Sequence, residues 1–87
     1  MRLPDVPRFY FHLLNDIDAP DDEGVELPNL EAARHHAREA ARVTIAETIK
    51  DEGRFNLDHR IDIEVDNGLV VDTVWFRDVV KVETTSL

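Results

Sequence analysis

The stretch IDIEVDNGLVVDTVW, residues 61–75, decides the fold of this chain because it predicts a β-hairpin. Its first half alternates apolar and acidic residues, so Ile61, Ile63 and Val65 would share the buried face of a strand. Asp66-Asn67-Gly68 follows as a strong turn signal, and a second apolar run leads the chain back. The two runs therefore predict an antiparallel pair that needs further elements to cover its apolar face.

The length of the loop sets the register of this hairpin. A three-residue loop with Gly68 in the left-handed conformation places Ile63 opposite Val71. A two-residue Asn-Gly loop would instead place Asp72 opposite Ile63, on the apolar face. We predict the three-residue loop, because it keeps the acidic residue off the buried face. On that register, the inward-facing residues of the second strand are Leu69, Val71, Thr73 and Trp75.

A first strand is predicted upstream, over Arg8 to Leu14. Its sequence, RFYFHLL, is rich in aromatic residues and alternates with period two. Phe9, Phe11 and Leu13 fall on one face of it. These side chains and the hairpin should supply most of the core.

A long helix is predicted from about Leu30 to about Lys50. Asn29 is a suitable N-cap, because its side chain can accept a hydrogen bond from the first turn, and Gly53 is a plausible stop signal. Small residues on the buried stripe would let the helix lie close to the sheet. The predicted stripe consists of Leu30, Ala33, Ala37, Ala40, Ala41, Thr44 and Thr48.

Together these elements predict an α+β domain in which one long helix packs on one face of a small antiparallel sheet. The sheet would have three to five strands in the order β-β-α-β-β, with a short strand at residues 25–27. A further short strand could run through Val80, Val82 and Thr84. We assign residues 8–83 to a single domain, residues 1–7 to a flexible extension and residues 84–87 to a flexible tail. The order of the strands within the sheet stays open.

The charge of the chain restricts the classes of partner. Nineteen acidic residues against ten Lys and Arg give a formal net charge of −9, which argues against nucleic acid or an anionic membrane as the main partner. The chain has no cysteine, which excludes disulfides and thiolate chemistry. It shows neither the apolar run of a signal peptide nor a stretch of about 20 apolar residues, so we expect a cytoplasmic protein.

Sequence motifs for catalysis, metals or cofactors are not visible. The chain has three glycines and no nucleophile elbow, phosphate loop or dinucleotide fingerprint. His35 and His36 are adjacent on the predicted helix and would point about 100° apart, unlike a metal-binding pair one turn apart. We therefore expect no enzymatic activity, no catalytic residue, no cofactor and no metal site.

The acidic segment from Asp16 to Glu23 raises the question of a cation site. An EF-hand loop counted from Asp16 fails, because Pro20, Asp21 and Leu27 stand at positions 5, 6 and 12. We interpret the segment as a solvated loop. A looser cation site, or a contact with a basic partner, remains open.

A partner surface is predicted on the sheet face that the helix leaves uncovered. A contiguous apolar patch on a small domain usually marks an interface, so we expect this face, or an edge strand beside it, to mediate homodimerisation. Alternatively, a loop or the C-terminal segment folds over the face. The residues predicted to form it are Tyr10, His12, Leu14, Val70, Val74 and Phe76.

Arg34, Arg38 and Arg42 form one basic stripe along the helix at i, i+4 and i+8. They could pair locally with Glu31 or Glu39, pair across to the acidic segment, or contact an anionic partner. Three arginines without aromatic neighbours are too few to claim nucleic acid. The sequence thus favours a non-enzymatic protein-interaction module, self-associating or binding another protein and without a small-molecule substrate. The alternative is a nucleic-acid-associated or antitoxin-like regulator that uses this stripe.

Three segments read PRFYFHL, DDEGVELPNLEAARHHAREAAR and IDIEVDNGLVVDTVWFRDVV, and they span roughly residues 7 to 82. Together they resemble a family of small uncharacterised proteins common in alphaproteobacteria. The family shares an aromatic first strand ending in histidine, the helix start D-x-x-G-x-E-L-P-[DN]-L-x-x-A and a late V-x-D-x-x-G-x-[LV] hairpin. The helix start falls here on Glu23, Gly24, Glu26, Leu27, Pro28, Asn29, Leu30 and Ala33. The resemblance implies the element order given above and a bacterial cytoplasmic origin, but no activity and no site residue.

The chain also resembles HicB-type antitoxin domains at the level of the fold. Those domains run strands into an L-P-D-L-like turn and then into a helix rich in Ala and Glu. This chain lacks their G-[YF]-x-[VA] second strand, the G-C after the turn and an appended DNA-binding segment. The likeness therefore says little about function.

Overall fold

The computed structural model of the protein describes residues 6–85, so predictions for residues 1–5 and 86–87 lie outside the described residues. Within residues 6–85, the elements are β1 (Arg8–Leu14), β2 (Val25–Glu26), α1 (Leu30–Glu52), β3 (Arg60–Val65), β4 (Val70–Trp75) and a 3₁₀ helix (Phe76–Asp78). These four strands form one antiparallel sheet in the order β2-β1-β3-β4, and α1 packs on it, so the predicted α+β class is confirmed. The predicted domain boundary at residue 83 stays a prediction.

Both ends of α1 are set by the residues that the sequence indicated. The Asn29 side chain accepts a hydrogen bond from the Ala32 N–H at 2.9 Å. At the other end, Gly53 adopts φ 72° and its N–H donates to the Ile49 carbonyl at 2.8 Å. The helix therefore ends at Glu52, two residues beyond the predicted end at Lys50.

The buried side of α1 is made of small side chains, as predicted. Ala33, Ala37 and Ala41 are fully buried, and Ile45 continues the same row one turn later, although it was not part of the predicted stripe. Because the alanine side chain is only a methyl group, the backbone of α1 can lie close to the strands. The other buried residues of the core are Phe9, Ile61, Ile63, Val74, Phe76 and Val79.

The tip of the hairpin has the predicted three-residue loop. Gly68 adopts φ 81°, its N–H donates to the Val65 carbonyl at 2.9 Å, and the Val65 N–H donates to the Leu69 carbonyl at 3.0 Å. The register then shifts by one residue. Ile63 pairs with Asp72 instead of Val71, so Val71 is the extra residue of a β-bulge. The predicted pairing of Ile63 with Val71 is wrong.

This bulge exchanges the two faces of the rest of β4. Val74 lies opposite Ile61 on the buried face, whereas Thr73 and Trp75 fall on the face away from α1. Phe76 follows into the 3₁₀ helix and is only 1% exposed. The prediction that Val74 and Phe76 line the uncovered face is therefore wrong, because both belong to the core.

The chain after the 3₁₀ helix does not add a strand in the part that the structure describes. Val79 is buried in the core, but residues 80–85 have no regular secondary structure. The predicted short strand through Val80, Val82 and Thr84 is wrong. Within residues 6–85, no helix has the length and apolar character to cross a membrane.

Candidate interaction surface

The sheet face opposite α1, here called the open face, is defined by the strand pairing. Side chains alternate across a strand, and paired residues share a face, so the register fixes its members. The Thr73 hydroxyl confirms the assignment on β4, because it donates to Asp62 Oδ1 at 2.9 Å. The open face consists of Arg8, Tyr10, His12, Leu14, Arg60, Asp62, Glu64, Val70, Thr73 and Trp75.

The open face is more polar than the sequence predicted. Two ion pairs of the described residues lie on it, Arg8 with Glu26 of β2 at 2.8 Å and Arg60 with Asp62 at 3.3 Å. The His12 Nε2 atom also lies 3.2 Å from a Glu64 oxygen. The apolar residues do not form a continuous patch at its centre. They lie at its margin, as Leu14, Val70 and Trp75. A partner that seeks apolar area would therefore approach the margin.

Tyr10 and His12, two of the predicted partner-binding residues, make contacts within the chain. The Tyr10 hydroxyl donates to Asp66 Oδ1 at 3.2 Å, and burial together with this hydrogen bond raises the pKa of the phenol. The His12 Nδ1 atom accepts the Asp21 N–H at 3.0 Å. Both side chains are half-buried, so only part of each is accessible to a partner on the open face.

Asp21 ties the acidic segment to β1. Its carboxylate accepts three backbone N–H groups: Phe11 at 3.1 Å, Glu23 at 3.1 Å and Gly24 at 3.0 Å. Burial acts to raise the pKa of Asp21, but these hydrogen bonds together hold it below its usual value. The Asp21 carboxylate thus holds the backbone of the acidic segment against β1. Among residues 6–85, no group of three or more His, Asp or Glu side chains is arranged to hold a metal ion.

A cleft of about 430 Å³ opens on this face, beneath residues 18–20 of the acidic segment. A backbone pair between Leu13 and Ala19, with N–O distances of 3.1 and 2.9 Å, holds the segment beside the end of β1. The residues that line the cleft are His12, Leu13, Leu14, Asp18, Ala19, Pro20, Asp62, Glu64 and Val70.

A second cleft, of about 410 Å³, lies at the C-terminal end of α1. His59 lines it, with its Nε2 atom 3.4 Å from an Asp16 carboxylate oxygen and its ring edge-on to Phe76. Arg54 and Glu52 at its rim carry opposite charges. This mixture of charges matches no particular class of ligand.

The edge of the sheet at β4 is the other feature of this surface. The Phe76 N–H donates to the His59 carbonyl at 2.9 Å, and the pairing alternates from there, so the backbone groups of Thr73 and Trp75 point away from β3. No other strand in residues 6–85 pairs with them. The Thr73 N–H is partly satisfied by Asp72 Oδ1 at 2.8 Å.

Exposed apolar side chains accompany this free edge. Trp75 is 37% exposed and Val70 is 46% exposed, at the two ends of β4. The Arg60 guanidinium lies 5.3 Å from the centre of the Trp75 ring and holds it in place by a cation–π contact. Sequence reasoning missed Thr73 and Trp75, because no local signal in residues 69–75 marks the bulge that turns them outward.

The arginine stripe is used largely within the chain. Arg34 Nε lies 2.5 Å from Asp72 Oδ2, and Arg42 Nε donates to the Val79 carbonyl at 3.0 Å. The hydrogen bond from Arg34 lowers the pKa of Asp72, and the same contact raises that of Arg34. Arg38 is exposed and makes no ion pair with the described residues. Arg34 and Arg42 thus connect α1 to β4 and to the segment that follows it.

Comparison with known proteins adds one match. A family model described as a domain of unknown function, DUF6894, matches residues 8–77, which include α1 and the four strands of the sheet. No curated protein and no solved structure matches the chain.

Proposed function

The chain belongs to the DUF6894 family, whose function is unknown, and we propose that it is a non-enzymatic protein-interaction module that self-associates through the edge of β4. The observation that carries the proposal is the outward-facing backbone of Thr73 and Trp75, which pairs with no other strand in residues 6–85 and lies beside exposed apolar side chains. A strand with free N–H and C=O groups is a template for pairing with another strand. Two copies joined antiparallel at β4 would continue one sheet.

Several features favour β4 over the opposite edge of the sheet. β2 has two residues, whereas β4 has six, so β4 offers the longer row of backbone groups. Trp75 is the kind of side chain that anchors interfaces, because it buries a large area with few rotatable bonds. Charged residues and bulges on an edge strand limit its pairing with another strand, and β4 has both, at Asp72 and Val71. We therefore expect self-association of moderate affinity.

The sedimentation of the purified chain at micromolar concentration tests this proposal. We expect a mass twice that of the chain, falling to that of one chain on dilution. A single-chain mass at all concentrations up to about 100 µM, far above a typical specific dimer constant, would contradict self-association.

Variants at the edge of β4 locate the interface. Thr73→Pro removes an N–H that points outward, and proline is tolerated on an edge strand, so the variant should fold as a monomer. Trp75→Lys provides a second route to the same result through charge and lost apolar area. Val43→Lys is the matched control, because Val43 is exposed on α1, away from the sheet edge. It should remain a dimer, and circular dichroism should show that all three variants fold.

The alternative of a nucleic-acid-associated regulator has less support from the geometry. Two of its three arginines, Arg34 and Arg42, are held by contacts within the chain, and the charge of −9 repels phosphate. Filter binding over a salt series tests it, and salt-dependent retention of DNA or RNA would revive it. The bacterial cytoplasm is the compartment that the family resemblance implied, and it forms part of the proposal.

A further inference from the structure

We propose that the cleft on the open face is a docking site for a lysine or arginine side chain carried by a partner protein. The cleft shares only Val70 with the edge of β4, so this inference goes beyond self-association and has its own test. It is carried by the chemistry of the lining, which combines apolar walls with an anionic floor.

The walls of the cleft fit the methylene groups of a long cationic side chain. Leu14 closes one side at the end of β1, Ala19 and Pro20 come from the acidic segment above it, and Val70 comes from β4. Lysine and arginine bury their aliphatic stems against such surfaces and keep the charged head at a polar site. A metal ion or a small inorganic cation would gain nothing from these walls.

The floor of the cleft is anionic and has acceptor atoms to spare. Asp62 and Glu64 line it from the sheet, and Asp18 adds a third carboxylate from the acidic segment. No lysine or arginine is among the residues that line the cleft. Asp62 Oδ1 already accepts from Thr73 and from Arg60, which lies beside the cleft. Asp62 Oδ2 and both Glu64 oxygens accept no hydrogen bond from the described residues, so they can receive the N–H groups of a cationic head.

His12 lies beside this floor and adds no charge to it in the observed arrangement. Its Nδ1 atom accepts the Asp21 N–H, so the neutral ring carries its proton on Nε2. Nε2 is buried, lies 3.2 Å from a Glu64 oxygen and makes no well-aligned hydrogen bond there. Glu64 can therefore turn toward an incoming cation without losing a strong partner.

The whole molecule favours a basic protein segment as the source of this side chain. A net charge of −9 attracts basic surfaces over distances of about a Debye length and raises the rate of encounter. The cleft opens on a sheet face, so a side chain projecting from a larger partner can reach it.

Titration with a short peptide tests the proposal on the full-length chain. The probe is acetyl-Gly-Gly-Lys-Gly-Gly-amide, and its binding is measured by the NMR chemical shifts of Leu14 and Val70. The comparison peptide carries norleucine in place of lysine. Because a hydrogen bond to a charged group is worth more than a neutral one, we expect the norleucine peptide to bind about tenfold more weakly. The arginine analogue should bind as the lysine peptide does.

Variants of the chain separate this site from general attraction to an acidic protein. Glu64→Gln and Asp18→Asn should each weaken binding of the lysine peptide about three- to tenfold. Glu39→Gln is the matched control, because it removes the same charge from an exposed position on α1 and should change binding less than about twofold.

Three results of the peptide and variant titrations would each overturn the proposal. They are equal binding of the lysine and norleucine peptides, equal weakening by Glu39→Gln and Glu64→Gln, and shifts that fall outside the cleft. Butylamine serves as the free-amine probe. If it binds as tightly as the peptide, the source is a small amine and the assignment to a partner protein is wrong.

Discussion

Gly24 and Gly53 share a backbone conformation but differ in their surroundings. Both have φ near +70°, where a side chain is strained. A Cβ on Gly24 would lie 2.9 Å from the Phe9 carbonyl oxygen and from atoms of Arg8 and Tyr10, whereas a Cβ on Gly53 would meet nothing within 4 Å. Gly24, which directly follows the acidic segment, thus lies closely packed against β1.

This difference gives a residue-scale prediction. Gly53→Ala should lower the free energy of unfolding by about 1 kcal/mol, which is the strain of the left-handed conformation alone. Gly24→Ala should lower it by about 2–4 kcal/mol, because backbone must also move. Urea unfolding of the two variants measures both values. Equal losses would mean that the close approach at Gly24 does not hold in solution.

Asp21 gives a second residue-scale prediction. Its pKa is lower when folded than when unfolded, so its contribution to stability is complete above the unfolded value of about 4 and is lost as the pH falls through the folded value. Asp21→Asn should cost about 1–3 kcal/mol at pH 7, because an amide cannot accept all three N–H groups. Urea unfolding from pH 7 to pH 3 should show this difference shrinking.

The control for Asp21 is its exposed neighbour. Asp22→Asn removes an equal charge without a hydrogen bond to the described backbone, so its effect should stay within about 0.5 kcal/mol. If Asp21→Asn and Asp22→Asn behave alike across the pH range, the segment is held by its overall charge and not by the Asp21 carboxylate.

At the scale of elements, the close packing of α1 depends on its alanine row. Ala37 is fully buried against the sheet, whereas Ala46 is exposed on the same helix. Ala37→Leu should lower the free energy of unfolding by about 1–3 kcal/mol, because the helix must move away from the strands. Ala46→Leu should change it by less than about 0.5 kcal/mol. Urea unfolding measures both, and equal effects would argue against a tightly packed helix.

The contact between α1 and the bulge gives a second prediction at this scale. Arg34→Met keeps the apolar stem but removes the partner of Asp72. A double-mutant cycle with Asp72→Asn, measured by urea unfolding, should give a coupling energy of about 0.5–1 kcal/mol, since both groups are partly exposed. Arg38→Met replaces Arg34→Met in the control cycle and should give a smaller coupling, because Arg38 acts on Asp72 through its charge and without a hydrogen bond.

The predicted register failed at this same contact. An acidic residue opposite Ile63 looked incompatible with a buried face, so Asp72 was assigned elsewhere. The structure accepts it there because Arg34, 38 positions away in the sequence, lies over it. A pattern read along one strand cannot show a charge that another element brings to its face.

At the scale of the whole molecule, net charge should separate the two proposed interactions. Two chains of charge −9 repel each other, so salt should strengthen self-association by screening. A lysine peptide is attracted to the same charge, so salt should weaken its binding to the cleft. Sedimentation and peptide titration at 20 and 300 mM NaCl, about 20 and 6 Å in Debye length, measure the two responses. Responses of the same sign would contradict one of the assigned surfaces.

The sequence by itself determined the elements of this fold and most of their ends. Asn29, Gly53 and Gly68 act through hydrogen bonds and backbone angles within a few residues, so their effect is local and can be read directly. Alternation in β1 and β3 likewise fixed which side chains face α1. The α+β class followed from these local signals.

Only the tertiary structure decided the strand order, the bulge at Val71 and therefore the surface that β4 presents. A one-residue shift reverses every later side chain of the strand, which sent Val74 and Phe76 into the core and Trp75 outward. That shift depends on contacts between residues far apart in the sequence, the burial of Val74 beside Ile61 and the pairing of Asp72 with Arg34. Such contacts exist only once the helix and the sheet have packed together, so no local pattern contains them.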